Sequence, residues 1–131
     1  MKRAFQLPEE DVAGLDARGL KWEAINIGDA KWIIFRDYSI PEGYKVRLAD
    51  MALSISPSYP DTQIDMANFF PALELVSEKV MQRLTPVNIE GKQYQQWSRH
   101  RTTVNPWKIG VDNICSHILL VDTWLRREIG L

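Results

Sequence analysis

The first helical pattern along the chain lies close to the N-terminus. Pro8 and three acidic residues open it, and a basic residue followed by Gly19 closes it, which is the charge order that a helix dipole favours. Val12 and Leu15 lie on one face of this segment and are expected to point inward. The pattern predicts a short N-terminal helix that ends before Gly19.

A β-hairpin is predicted next. Residues 20–27 and 31–38 are both typical of strands, and Gly28-Asp29 between them suits a tight turn. In the second strand, residues 32–35 are apolar at successive positions rather than at alternate ones. We therefore expect the second strand to lie inside the sheet and to be covered, at least in part, on both faces.

A third strand is predicted over residues 44–55, after a turn at residues 41–43 that contains proline and glycine. Its inward-facing apolar positions are even-numbered at first and odd-numbered later. This change of parity predicts a β-bulge near Ala49 or Asp50.

The chain from residue 66 to residue 97 gives weaker signals. A short fourth strand is predicted over residues 66–70, because Pro71 cannot donate the backbone hydrogen bond that would continue it. Residues 72–84 have helical spacing in part and fit either a helix or an irregular lobe. Residues 87–97 contain Gly91 and a polar, aromatic run that fits either a short strand or a loop.

The strongest helical pattern lies near the C-terminal end. It runs from Gly110 to about Ile129, with Asp112 well placed near its start. Its apolar row consists of Val111, Ile114, Ile118, Val121 and Leu125, with Cys115 and Trp124 beside it. The predicted fold class is therefore α+β, with an N-terminal helix, an antiparallel four-stranded meander and a C-terminal helix.

Length and composition bound the class of protein. The chain has 131 residues, which fits one domain over residues 1–131 with a substantial core. No apolar run approaches the roughly 18 residues of a membrane span. The N-terminus has two basic residues but no apolar stretch after them, so it does not resemble a signal peptide. We expect a cytoplasmic protein that does not enter a membrane.

Charge and cysteine content exclude further classes. A formal net charge of -1 argues against nucleic-acid binding, which needs a basic face, and the local feature in its favour is the pair Arg99 and Arg101. Cys115 is the only cysteine, and there are two histidines, so neither a disulfide nor a structural metal site is expected. No cofactor is predicted.

The densest chemistry lies between the last strand-like run and the last helix, at Trp97-Ser98-Arg99-His100-Arg101. A serine hydroxyl needs a base to take its proton, and His100 is the one histidine close enough in sequence. Residues two apart on an extended chain share a face, so Ser98 and His100 converge if residues 97–101 are extended. Arg99 and Arg101 would keep the imidazole neutral, and one of them would stabilise an oxyanion.

A structural role competes with each of these assignments. Ser98 would then cap or bond a loop, and His100 would satisfy a buried carbonyl. Cys115, between apolar neighbours in the predicted helix, is typical of a small core residue. Asp61 and Asp65 lie near a turn, where acidic residues are common.

The order of these elements resembles the ubiquitin-conjugating enzyme (UBC-like) fold over nearly the whole chain. The residues that carry the resemblance are Tyr59-Pro60, Phe70-Pro71, Ser98-Arg99-His100, Trp107 and Asp112-Asn113. They are most similar to a bacterial group of ubiquitin-conjugating-like proteins, often encoded beside ubiquitin-like proteins, activating enzymes and isopeptidases. The resemblance implies these three kinds of partner and a role in antiviral defence.

The chain departs from that family at the catalytic position. Ordinary members have a cysteine in the loop before a tryptophan and the final helices, with a His-Pro-Asn tripeptide upstream, and neither is present here. Ser98 precedes Trp107 and falls close to the expected position of the cysteine, whereas Cys115 comes after that tryptophan. Asn88 is a loose candidate for the asparagine that supports the oxyanion.

Two functions follow from the resemblance. In the first, the protein is an acyltransferase: Ser98 accepts the C-terminal acyl group of a ubiquitin-like protein from an activating enzyme, as an oxyester, and passes it to a target. Trp97 and Trp107 would then wall the site or grip the incoming tail. In the second, the protein is a non-catalytic adaptor that binds the ubiquitin-like protein or the activating enzyme, and Ser98 and His100 are dispensable.

Overall fold

The computed structural model describes residues 1–131 and contains two helices and one six-stranded sheet. The helices are α1 (Glu9–Ala17) and α2 (Ile114–Glu128). The strands are β1 (Lys21–Ile27), β2 (Ala30–Ser39), β3 (Leu48–Ile55), β4 (Ala67–Phe70), β5 (Leu84–Ile89) and β6 (Lys92–Trp97). The spatial order is β1-β2-β3-β4-β6-β5, and every neighbouring pair is antiparallel. The predicted α+β architecture is confirmed, with six strands instead of four.

The two additional strands form a hairpin between β4 and α2. Its turn is Glu90-Gly91, with φ angles of 50° and 77°, which suit a two-residue hairpin turn. Pro86 weakens the strand pattern of β5, but β5 is an edge strand paired only with β6, where proline is tolerated. Pro86 therefore obscured the sequence pattern of β5, a strand that pairing with β6 stabilises.

Residues 71–83 form no helix, although their spacing is helical in part. The reason is that their backbone groups bond to other parts of the chain. Val76 N–H donates to the Gly43 carbonyl at 2.8 Å, and the Glu74 carbonyl accepts from Lys45 at 2.9 Å. The Gln95 amide bonds to both backbone groups of Leu73. These contacts replace the hydrogen bonds that a helix would have supplied.

The bulge occurs at the predicted level of the sheet, but on the opposite strand. Phe35 pairs with Met51 and Tyr38 with Ala49, so two β2 residues lie opposite Asp50. The extra residue is therefore on β2, where Asp37 has a φ of 53°. The parity change in β3 indicated a bulge at this level of the sheet but did not show which of the two strands contains the extra residue.

The core lies mainly between the sheet and the two helices. Successive β2 residues divide between two apolar clusters: Ile33 and Phe35 belong to the helix-side cluster, and Ile34 to a smaller one on the other face. All three are fully buried, which confirms that this strand is covered on both sides. Neither helix has the length and apolar character that a membrane crossing requires.

The β5–β6 hairpin covers part of the second face. The small apolar cluster there consists of Ile25, Ile34, Ala52, Ile89 and Tyr94. Arg36 on β2 binds Glu90 in the hairpin turn at two points, with Nη1–Oε2 at 2.7 Å and Nη2–Oε1 at 2.8 Å. The Tyr94 hydroxyl donates to the same carboxylate at 2.6 Å. Arg36 thus links β2 to the turn of the β5–β6 hairpin.

Glu90→Gln is expected to destabilise the protein by about 1.5–3 kcal/mol at pH 7, the usual cost of losing hydrogen bonds to a charged group. Hydrogen bonds from Arg36 and Tyr94 lower the pKa of Glu90 from 4.5 to about 2. Because the folded-state pKa is lowered, this stabilisation is complete above about pH 4.5 and is lost as the pH falls toward 2. Urea unfolding of both proteins at pH 7 and pH 3 should give a smaller difference at pH 3. A difference independent of pH would contradict the ion pair.

Helices α1 and α2 pack closely at Gly14. A Cβ atom at this position would lie 2.8 Å from Cys115 Sγ. Cys115 therefore forms a helix contact, as its apolar surroundings predicted. Leu15 is fully buried and Val12 packs against the same core, which confirms the predicted inner face of α1.

Gly14→Ala should destabilise the wild-type protein, because the new methyl group collides with Cys115 Sγ. In a Cys115→Ala background the collision is absent, and the same change should stabilise the protein by up to about 1 kcal/mol through helix propensity. Thermal unfolding of the four proteins of this cycle measures the reversal of sign. Additive effects would show that the two residues do not meet.

Candidate functional site

The segment with the dense chemistry begins where β6 ends, at Trp97. Ser98 N–H donates to the Arg83 carbonyl at 3.1 Å, so one further contact continues the β5–β6 ladder. Residues 98–113 then form the loop that leads to α2. Ser98 is partly buried and His100 is exposed. The site is therefore a surface site at the end of a rigid strand.

Trp97 lies in the core instead of on this surface. Its side chain is fully buried, packs edge-to-face on Phe69, and donates its indole N–H to Gln95 Oε1 at 2.8 Å. It belongs to the helix-side cluster. Because the indole is buried, the C-terminal tail of a ubiquitin-like protein cannot contact it in this structure. Trp97 supports the site from the core.

His100 is paired with an acidic residue from a distant part of the chain. Its Nδ1 lies 2.7 Å from Asp65 Oδ2, and the two residues are 35 positions apart. The His100 side chain is 57% exposed and that of Asp65 is 32% exposed. An accessible imidazole oriented by a carboxylate is the usual arrangement of a general base.

Ser98 and His100 are two positions apart, and the backbone at Ser98 is not extended. Arg99 N–H donates back to the Trp97 carbonyl at 3.0 Å, which makes a tight turn. The expectation that these two side chains share the face of a strand is therefore incorrect. Neither side chain hydrogen-bonds to the other, and the imidazole Nδ1 is occupied by Asp65.

Both arginines of the segment have structural partners. Arg99 Nη2 binds Glu128 at 3.1 Å, and its guanidinium lies 5.0 Å above the Trp97 ring. Arg101 Nη2 binds Asp112 at 3.5 Å. The Arg101 side chain is only 5% exposed. Arg101 is thus part of the loop's interior, while Arg99 lies nearer the surface and has Nη1 3.4 Å from the Ser98 carbonyl.

Trp107 anchors the far side of the loop. Its indole N–H donates to the Pro60 carbonyl at 3.0 Å, and its ring packs edge-to-face on Tyr59. The Arg101 guanidinium lies 5.1 Å from the same ring. The loop after Ser98 is therefore fixed to the Tyr-Pro turn that the sequence singled out.

A buried carboxylate joins that turn to both helices. The Tyr59 hydroxyl donates to Asp11 Oδ2 at 2.8 Å, and Ile114 N–H at the start of α2 donates to the Tyr59 hydroxyl at 3.0 Å. Asp11 is 2% exposed. Burial raises the pKa of Asp11, although the hydrogen bonds from Tyr59 and Ile114 oppose the rise. Asp11 therefore holds the N-terminal end of α2, where the loop ends.

Asn88 lies far from Ser98. It stands opposite Gln93 on β6, five positions before Ser98, and a strand advances roughly 3.3 Å per residue. The separation along β6 is therefore about 16 Å. The structure does not bring this asparagine to the hydroxyl.

Cys115 lies on α2 against α1 and is partly buried. Burial raises the pKa of its thiol, which disfavours the thiolate that a nucleophile requires. The structure thus favours the packing role of this residue over the reactive one.

His117 is a part of the site that sequence patterns did not reveal. It is fully buried on α2, and its Nε2 lies 2.8 Å from the carbonyl oxygen of Met66, next to Asp65. Burial lowers the pKa of His117 from 6.5 to about 4, and the charge of Arg101 adds to this effect. Its imidazole is neutral at pH 7, and because a carbonyl only accepts, Nε2 carries the proton.

Residues Asp65 and His117 were missed for different reasons. Asp65 was noticed only as an acid near a turn, and nothing local to it indicates a histidine 35 residues later. His117 lies beside Ile118 of the apolar row, three residues after Ile114, where a lone histidine gives no separate signal. The pairing of β4 with β6 brings Asp65 close to His100, whereas His117 reaches the Met66 carbonyl from α2.

His117 should make the protein sensitive to mild acid. Its folded-state pKa of about 4 is below its ordinary value of 6.5, so the unfolded chain binds the proton more readily. The stabilisation is complete above pH 6.5 and is lost as the pH falls toward 4, by roughly 3 kcal/mol at most. Urea unfolding between pH 7 and pH 5 should show a steeper fall for wild type than for His117→Gln. Parallel curves would contradict a buried, neutral imidazole.

Comparison with known protein families gives one match. Residues 7–128 match the family model Prok-E2_E, which is described as prokaryotic E2 family E. No curated protein and no solved structure matches the chain. The matched range contains both helices, all six strands and every residue of the candidate site.

Proposed function

The chain belongs to prokaryotic E2 family E, and from that premise we propose that it accepts the C-terminal acyl group of a ubiquitin-like protein on the Ser98 hydroxyl. The acyl donor is the thioester that an activating enzyme carries, and the product is an oxyester. A second transfer passes the group to an amine or hydroxyl of a target. The protein is then a transferase of the ubiquitin-conjugating type, acting together with an activating enzyme and an isopeptidase.

The observation that carries this proposal is the exposed His100–Asp65 pair two residues from Ser98. An exposed contact of this kind contributes little to stability, about 0–1 kcal/mol even when both groups are charged. A carboxylate-oriented imidazole does, however, supply a base of the kind that activates a serine hydroxyl. No other histidine is available for this purpose, because His117 is fully buried.

The proposed step is balanced as follows. His100 removes the hydroxyl proton as Ser98 Oγ attacks the thioester carbonyl carbon, so that a C–O bond forms. The tetrahedral intermediate then expels the thiolate of the activating enzyme, the C–S bond breaks, and the imidazolium returns its proton to that thiolate. Arg99, with Nη1 near the Ser98 carbonyl, is the cation best placed to stabilise the oxyanion.

Reaching this geometry requires a local movement. Ser98 Oγ makes no hydrogen bond in the structure, so rotation about its Cα–Cβ bond breaks none. The His100 ring is exposed on its outer side. In enzymes without bound substrate, the contact between nucleophile and base is often formed only in the complex.

Intact mass measurement tests the proposal. The protein is incubated with ATP, a ubiquitin-like protein and the activating enzyme of that ubiquitin-like protein. We expect an adduct in wild type and in Cys115→Ala that resists thiol reductant, and no adduct in Ser98→Ala. Ser98→Cys should form an adduct that reductant cleaves. Thr103→Ala is the matched control, because Thr103 is an exposed hydroxyl in the same loop.

Loss of the base is expected to slow adduct formation by about 10²- to 10⁴-fold in His100→Ala. An adduct that disappears only in Cys115→Ala would overturn the assignment of Ser98. If wild type forms no adduct but binds either partner, and Ser98→Ala binds equally well, the protein is the adaptor.

A further inference from the structure

We propose that Asp65 is the positioning residue of His100, and that buried His117 holds Asp65 in place through the carbonyl of Met66. This arrangement assigns the proton of neutral His100 to Nδ1 and leaves Nε2 as the atom that removes the proton from Ser98. The catalytic part of the inference rests on the proposed function, whereas the chain of hydrogen bonds can be tested without it.

The protonation of His100 follows from its partner. Asp65 Oδ2, a carboxylate oxygen, lies 2.7 Å from Nδ1 and accepts a hydrogen bond there. Nδ1 must therefore carry the proton, and the lone pair of the neutral ring is on Nε2. The wrong tautomer would place the proton on the atom that has to accept one.

Asp65 makes this contact and no other. Oδ2 binds His100, while Oδ1 is buried without a hydrogen-bond partner. Asp112, the acid in the loop after Ser98, behaves differently: it binds Arg101, the Lys108 backbone and the Ser116 hydroxyl. Asp112 is a structural carboxylate, whereas the single hydrogen bond of Asp65 orients the exposed imidazole.

The backbone next to Asp65 is held in an unusual conformation. Met66 has a φ of 58°, a left-handed value that is unfavourable for a residue with a Cβ. Two hydrogen bonds maintain it: Met66 N–H donates to the Arg99 carbonyl at 3.2 Å, and the Met66 carbonyl accepts from His117 Nε2 at 2.8 Å. Asp65 is thereby directed out of the β4 ladder toward His100.

His117 is a rigid support for this turn. Its ring is fully buried and packs edge-to-face against Trp124, with ring centroids 5.6 Å apart. Both residues lie on α2, whose start is capped by Asn113. The donor that holds Met66 therefore belongs to helix α2 and not to the loop.

Nitrogen NMR of the ¹⁵N-labelled full chain at pH 8.5 tests the tautomer directly, because the shifts of the two ring nitrogens show which one carries the proton. Wild type should have Nδ1–H at His100. Asp65→Asn should lose this preference, since an amide can also donate to Nδ1 and so stabilise the other tautomer. Asp61→Asn, an exposed acid in the same segment, should leave the His100 signals unchanged.

Two variants of His117 test its hydrogen bond to the Met66 carbonyl. His117→Gln keeps a side-chain donor for the Met66 carbonyl and should preserve the His100 tautomer. His117→Leu removes the donor and should lose it, and circular dichroism checks that both variants are folded. If Asp65→Asn keeps the wild-type tautomer, or folded His117→Leu does, the corresponding part of the proposal is overturned.

The rate of adduct formation separates this inference from the proposed function. Asp65→Asn should lower the maximal rate by up to about 10⁴-fold, with little change in the concentration of charged activating enzyme that gives half-maximal rate. A tautomer change without any adduct in wild type would leave the positioning intact and remove the acyl transfer. A wild-type rate in Asp65→Asn would overturn the positioning and leave acyl transfer intact.

Discussion

The contact on which the site depends is the hydrogen bond from buried His117 to the carbonyl of Met66. It joins α2 to the start of β4 at a residue whose φ of 58° needs support. Burial keeps the imidazole neutral, with a pKa of about 4, so the contact persists at neutral pH without a buried charge. The helix thereby determines where Asp65 lies, and Asp65 in turn determines how the exposed imidazole of His100 is oriented.

The loop after Ser98 is held by polar contacts at Trp107 and at its C-terminal end. Asp11 and the Tyr59 hydroxyl bind the start of α2, and Trp107 binds the Pro60 carbonyl. Arg101 lies inside the loop, nearly without exposure. These contacts account for most of the dense chemistry of the segment as packing. Ser98 stays partly accessible, and the side chain of His100 is 57% exposed.

Membership of prokaryotic E2 family E is the reason why we propose a catalytic role for Ser98 and His100. The family indicates a function in ubiquitin-like conjugation, yet the only cysteine packs against Gly14 between the helices. We therefore propose Ser98, with the carboxylate-oriented imidazole of His100 as its base, as the alternative nucleophile. Because an oxyester is less activated than a thioester, we expect the second transfer to need further help from the target or from an additional partner.

Local sequence features predicted both helices, the first four strands and the level of the bulge. They were helical spacing and end residues for the helices, strand-forming residues bounded by turns or proline for the strands, and a change of parity for the bulge. The β5–β6 hairpin required tertiary structure, because Pro86 is acceptable only on an edge strand. The sequence also identified Ser98 and His100 as candidate site residues. It could not provide Asp65, which lies 35 residues away, or show that Trp97 and Arg101 face inward. Local pattern specifies elements, whereas the partner of an exposed side chain is decided by which strands pair.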